Sequence, residues 1–489
     1  MDKKSFVERL IEESNYTLTE NQALTYISTL DDVLNFFSVV GALRQRSEKE
    51  IQVLFDKAYH SNPLLALKTV FYARDIRGGL GERRTFRILL EFIGRKYPEV
   101  MKKNMWLIPH YGRWDDVYSL VDTPLHHEAL EFIADQLRKD LDTKIPSLAG
   151  KWAKSINTSS SRSNELGTLT RKKMGLSEKQ YRKMLSKLRT KINIVEKLMC
   201  QKRFNEIDYE KVPSRASLIY REAFKRNDPE RYEEYLKEVE KGTKKIQTAT
   251  LFPHDVLIKA IRKEDPTAEL MWKNLPNYLP EGEESAIVVA DTSGSMVGFR
   301  GRGNVEPIMV SVSLAIYFGE RCQGPFKDHF ITFSRNPTLQ KIKGHALKEK
   351  YDFLSRAEWE MNTDLQAVFD LILNTAVKHG IKQEEMPSRI FIISDMEFDA
   401  AIDSDKSMTN FELIKKKYED SGYQLPKLIF WNVESRHDQF PVLKDEENVF
   451  LVSGFSASVF KDTMNMEAKN PIELMLEILN SPRYEPISI

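Results

Sequence analysis

The five residues Asp291-Thr292-Ser293-Gly294-Ser295 constrain this chain more than any other stretch. They follow Ala286-Ile287-Val288-Val289-Ala290, a short apolar run of the kind that forms a fully buried strand. Such a strand delivers one carboxylate and two hydroxyls, at alternate positions, into the loop at its carboxyl end. Open α/β sheets bind their ligands just there. Asp291, Ser293 and Ser295 are hard oxygen donors, suited to Mg²⁺ or Mn²⁺ with waters completing an octahedral shell. Taken alone, the same residues also read as a helix N-cap and turn.

The rhythm around that stretch is strand–helix alternation, which implies a doubly wound parallel sheet. Strands are expected at 286–290, 329–333, 389–394, 427–433 and 449–452, with helices near 307–320, 364–378, 410–420 and 471–479. A glycine-rich loop, Gly298-Phe299-Arg300-Gly301-Arg302-Gly303, follows the first strand. The polar, turn-rich segment from Pro276 to Glu284 marks a domain boundary. The expected division is 1–280 and 281–489.

Residues 1–280 read as helix after helix, with apolar clusters at helical spacing and short polar breaks. That pattern predicts an all-helical, repeat-like domain of stacked antiparallel pairs, although no repeat of fixed period is visible. Two glycine turns interrupt it. Arg74-Asp75-Ile76-Arg77-Gly78-Gly79-Leu80-Gly81-Glu82-Arg83-Arg84 lacks the Gly-Lys-Ser/Thr ending of a phosphate loop and follows no strand. It reads as a helix junction whose acids pair with its own arginines, and Tyr111-Gly112-Arg113-Trp114-Asp115-Asp116 also reads as structural.

A net charge of +1 hides an asymmetry, with 50 basic and 42 acidic side chains before Ala286 and 23 against 30 from there on. Residues 151–200 carry 13 basic and 3 acidic side chains. In the helix around Tyr181–Lys191, Tyr181, Met184, Leu185 and Leu188 share one stripe and leave Arg182, Lys183, Lys187 and Arg189 for the other faces. With Lys172 and Lys173 upstream, this is the electrostatic footprint of a phosphate backbone, and RNA is the expected partner. A solvated face paired with acids elsewhere is the alternative.

Other classes are disfavoured. No stretch approaches the roughly 20 apolar residues that span a bilayer, so no membrane partner is expected. Met1-Asp2-Lys3-Lys4-Ser5 leads into an amphipathic helix and not an apolar signal core. Cys200 and Cys322, without a CxxC, exclude a disulfide framework or a cysteine zinc site, and a cytoplasmic setting is expected. There is no HExxH, Gly-x-Ser-x-Gly or P-loop, so the chain reads as a binding protein and not an enzyme.

Two resemblances sharpen this reading. Asp-x-Ser-x-Ser after a hydrophobic strand resembles the metal-ion-dependent adhesion site of von Willebrand factor A (vWA) domains. That resemblance implies a Thr and an Asp from two later loops; Thr363 in Asn362-Thr363-Asp364-Leu365 and Asp395 after Arg389–Ser394 fill those places. At such a site the metal accepts a carboxylate from an acidic protein ligand, so a metal-dependent adaptor without RNA is the alternative function. The glycine-turn motifs, Tyr181-Arg182-Lys183, Ile207-Asp208-Tyr209, Val212-Pro213-Ser214-Arg215-Ala216 and Ser394-Asp395-Met396-Glu397-Phe398-Asp399 together resemble the TROVE-related family named for domain of unknown function 2828. The resemblance implies a helical TROVE-like or HEAT-like region before a vWA-like domain, and a ribonucleoprotein component that holds structured or non-coding RNA, with no DNA partner.

Overall fold

The computed structural model describes residues 14–262, 265–282, 285–297, 305–333, 336–354, 363–400, 408–465 and 467–489. The expected N-terminal helix, the loop 298–303 and Asn362 lie outside the described residues. The helical region is preceded by an antiparallel ribbon, β1 (Tyr16–Leu18) and β2 (Leu24–Tyr26). Such three-residue strands are too short to show a period, so the chain reading missed them.

The sheet is made of β3 (Ala286–Ala290), β4 (His329–Thr332), β5 (Leu339–Lys341), β6 (Arg389–Ser394), β7 (Lys427–Asn432) and β8 (Val449–Ser453). Its order is β5-β4-β3-β6-β7-β8, parallel throughout except for β5 against β4. This is the doubly wound arrangement expected, with an added antiparallel edge. Leu339-Gln340-Lys341 has no apolar run, because an edge strand faces solvent. Helices Pro307–Arg321, Leu365–His379, Asn410–Asp420 and Pro471–Leu479 fall where the periodicity places them. Leu347–Leu354 and Ser458–Met464 are additional.

The chain packs as two compact units. One comprises the segment up to Thr69 and Phe252–Pro482; the other comprises Val70–Leu251 and Arg483–Ile489. The boundary read near 280 falls inside the first. The reason is that the helix Pro307–Arg321 is buried continuously from Pro307 to Gly319 and needs cover on the face away from the sheet. Helix Pro266–Lys273 and the turn after it supply that cover: Trp272 Nε1 donates to Glu320 at 2.6 Å, and Tyr317 Oη donates to the Pro276 carbonyl at 2.6 Å. At the other end of the sheet, Thr25 Oγ1 donates to the Phe440 carbonyl at 2.8 Å and Asn21 Nδ2 to the Glu397 carbonyl at 2.7 Å.

In the second unit the two glycine-turn motifs become buried ion pairs. Asp116, with no exposed surface, accepts from Arg74 Nε at 2.9 Å and Arg87 Nε at 2.6 Å, while Arg113 grips both oxygens of Asp115 at 2.9 Å. Asp75 does not pair with the arginines of its own loop; it receives Arg483 from the chain terminus. A Cβ on Gly79 would lie 2.1 Å from the Tyr72 carbonyl oxygen, so the turn closes only over glycine. Among the described residues no helix is long and apolar enough to cross a membrane.

Candidate metal centre and basic face

Strands β3 and β6 are neighbours, and the register Ala290↔Ile393 sets Asp291 beside the end of β6. The path out of β3 runs to β4 on one side, whereas β6 lies on the other, so Asp291 stands at the switch point of the sheet. Its amide donates to the Ile393 carbonyl at 3.0 Å. One oxygen, Oδ2, accepts from Ser394 Oγ at 2.6 Å, and Oδ1 accepts the Ser293 amide at 2.8 Å. Ser293 and Ser295 hydroxyls are 2.9 Å apart. The structure therefore draws Asp291, Ser293, Ser295 and Asp395 into one place.

Thr363 arrives on a separate loop. Its amide donates to Asp399 Oδ2 at 2.8 Å and its carbonyl accepts the Asp399 amide at 3.0 Å, which laces it to the loop that carries Asp395. The Thr363 hydroxyl is fully buried and has no hydrogen-bond partner, and Asp395 Oδ2 is buried with Arg436 Nη2 3.0 Å away. A buried hydroxyl left unpaired is costly. Burial, then the neighbouring Asp395, pushes the Asp291 carboxyl well above the usual carboxylate range. Burial also raises Asp395, against the opposing pull of Arg436 and Ser295. Two enclosed carboxylates this close resist ionising together unless a cation lies between them. An all-oxygen donor set with unpaired lone pairs fits Mg²⁺ or Mn²⁺.

Two residues at this site were not read from the chain. Ser394 reads from the chain as the last strand residue and the start of a family motif, with no part in the site. Arg436, in the loop after β7, reaches Asp395 Oδ2 at 3.0 Å and Glu434 at 3.6 Å, donates to the Ser295 carbonyl, and through its other nitrogen holds Glu20 at 2.9 Å. Nothing local distinguishes Arg436 from a surface arginine; its role comes from the loop's position above β6.

The basic residues divide. Helices Ser161–Lys173 and Glu178–Lys191 form as expected, the second with Ser177 as N-cap in a reciprocal capping box with Gln180. Lys172, Arg182, Lys183 and Lys187 are exposed and meet no acidic side chain among the described residues. Lys173 is half-buried and pairs with Glu131 at 2.6 Å. Arg189 is also half-buried: it donates to the Gly150 and Ala153 carbonyls at 3.1 Å and to Ser155 Oγ at 3.0 Å. Arg189 therefore holds its own loop in place and offers little charge to a ligand. Its spacing on the helix could not reveal this, because the carbonyls it serves lie more than thirty residues earlier.

Comparison with known proteins divides the chain in sequence. Domain of unknown function DUF2828 matches residues 19–127 and 159–286, and domain of unknown function DUF7788 matches residues 285–478. An uncharacterized protein of Acanthamoeba polyphaga mimivirus is 28% identical, covering 97% of this chain and 89% of that protein. The crystal structure of the Deinococcus radiodurans RO (RSR) protein superposes with a TM-score of 0.48 at 12% identity, over 92% of this chain and 99% of that one. The glycine turns, the basic helix and the Val212–Ala216 motif all lie within the DUF2828 match, and this part of the chain belongs to the DUF2828 family.

Proposed function

We propose that this chain is a non-enzymatic binding protein that holds RNA on the basic face of its helical unit. The observation that carries this reading is the set Lys172, Arg182, Lys183 and Lys187: four exposed cations without acidic partners among the described residues, on two consecutive helices. Their neighbours behave otherwise. Arg162 pairs with Glu165 and Asp122, Lys151 with Glu196, and Lys173 with Glu131. Cations without partners are what a phosphate backbone neutralises, and the released counterions make such binding steeply salt-dependent. Crosslinking and immunoprecipitation of the tagged chain, with bound RNA sequenced, tests it. Enriched structured RNA that disappears when Arg182, Lys183 and Lys187 are changed to Gln supports the reading; no RNA above background overturns it.

The unpaired Thr363 hydroxyl, together with the enclosed Asp291 and Asp395 carboxyls, favours a second reading of the other unit. Asp291, Ser293, Ser295, Thr363 and Asp395 would hold Mg²⁺ or Mn²⁺, which would supply a Lewis-acidic position for a partner's carboxylate. Ser394 and the Ser293 amide orient Asp291 by hydrogen bonds, while Arg436 opposes the upward push that burial gives the Asp395 carboxyl. This arrangement serves capture and not catalysis, since no nucleophile with a neighbouring base is present among the described residues of the site. Partner capture that is lost in EDTA and in Asp291→Ala is the expected signature.

A further inference from the structure

Beside the Asp291 site, three side chains from distant parts of the chain converge. Glu20, on the turn between β1 and β2, Glu397, two residues past Asp395, and His437, in the loop after β7, each offer a ligand atom, and these atoms lie within 4.8 Å of one another. Glu20 Oε1 and His437 Nε2 are 3.0 Å apart. Glu397 has no exposed surface; one oxygen accepts the Glu20 amide at 2.7 Å, and the other, Oε1, is buried with no hydrogen-bond partner. Glu397 is thus an enclosed carboxylate with one oxygen left unpaired, in a cluster with a second carboxylate and an imidazole.

We propose that Glu20, Glu397 and His437 form a zinc site. An imidazole nitrogen with two carboxylate oxygens is a donor set suited to Zn²⁺ more than to Mg²⁺. Zinc bonds of about 2.0–2.1 Å place tetrahedral ligands about 3.3 Å apart, close to the present Glu20–His437 separation. Three protein ligands leave the fourth position to water. Arg436 occupies the second oxygen of Glu20 at 2.9 Å and does not have to leave. The ion would thus clasp the ribbon turn, the loop after β6 and the loop after β7, the elements that surround Arg436 and Asp395. It would do so independently of RNA binding and of any ion held by Asp291.

Calorimetric titration of the full chain with ZnCl₂ in excess Mg²⁺ tests the assignment. One zinc per chain is expected, weakened about 10–100-fold or more in His437→Ala and in Glu397→Gln. Asp291→Ala and His329→Ala retain it, the first because the Mg²⁺ donors are separate and the second because His329 is remote from the cluster. Glu20 and His437 are exposed, so Glu20→Gln and His437→Ala should melt as wild type does in EDTA, separating ligand loss from misfolding. Zinc binding that survives His437→Ala, or that vanishes in Asp291→Ala, or that is absent from the wild type overturns the proposal.

Discussion

Arg436 Nη2 lies 3.0 Å from Asp395 Oδ2, a carboxylate with no exposed surface at the end of the central parallel strands. The guanidinium supplies positive charge to a pair of enclosed acids that would otherwise repel. Arg436→Met removes that charge. The variant should lose thermal stability in EDTA and regain most of it in Mg²⁺, since a ligand at 100 times its Kd stabilises the native state by about 2.7 kcal/mol. Melting curves with and without Mg²⁺ check this; an equal loss in both conditions would assign Arg436 a purely packing role.

Thr363→Val has the opposite sign. The hydroxyl is buried and unpaired, a condition worth about 1–3 kcal/mol of destabilisation, and valine keeps the shape without the polar atom. In EDTA the variant should be more stable than wild type by about 1 kcal/mol in urea unfolding. It should also gain less from Mg²⁺ than wild type does. A variant less stable in EDTA would mean that the hydroxyl is hydrogen-bonded in solution.

Asp116→Asn tests the helical unit. Asp116 joins Arg74 and Arg87 and has no exposed surface, so neutralising it leaves two guanidinium groups short of a counter-charge. Breaking a buried pair from one side costs about 3–5 kcal/mol, which guanidinium unfolding would read directly. A change below about 1 kcal/mol would place this network among exposed pairs.

Salt dependence separates the basic residues. Each phosphate contact contributes about 0.7 to the slope of log K against log salt for single strands. Changing Arg182, Lys183 and Lys187 together to Gln should lower the slope for single-stranded RNA by about 2. Arg189→Gln should act differently, lowering the melting temperature through the lost Gly150, Ala153 and Ser155 bonds while the slope stays near that of wild type. Filter binding across a salt series distinguishes the two; a slope unchanged in the triple variant would remove this face from RNA contact.

What the chain alone determined is local. Five consecutive buried residues before each of Asp291 and Asp395 mark β3 and β6, because a strand covered on both faces needs a nearly unbroken apolar run. The helices between the strands follow from periodicity, and the family follows from motifs that lie intact in the sequence. Only the tertiary structure decided the rest. Arg436 and Glu20 are separated by 416 positions, and neither has a neighbour in sequence that signals the other. The same holds for Arg189, whose partners are main-chain carbonyls without side-chain identity, and for Asp75, which is satisfied from the far end of the chain. Hydrophobic pattern reports which face of an element is covered, not which element covers it. The packing of residues up to Thr69 with the sheet was therefore invisible in sequence, although it brings Glu20 to Arg436 and Glu397.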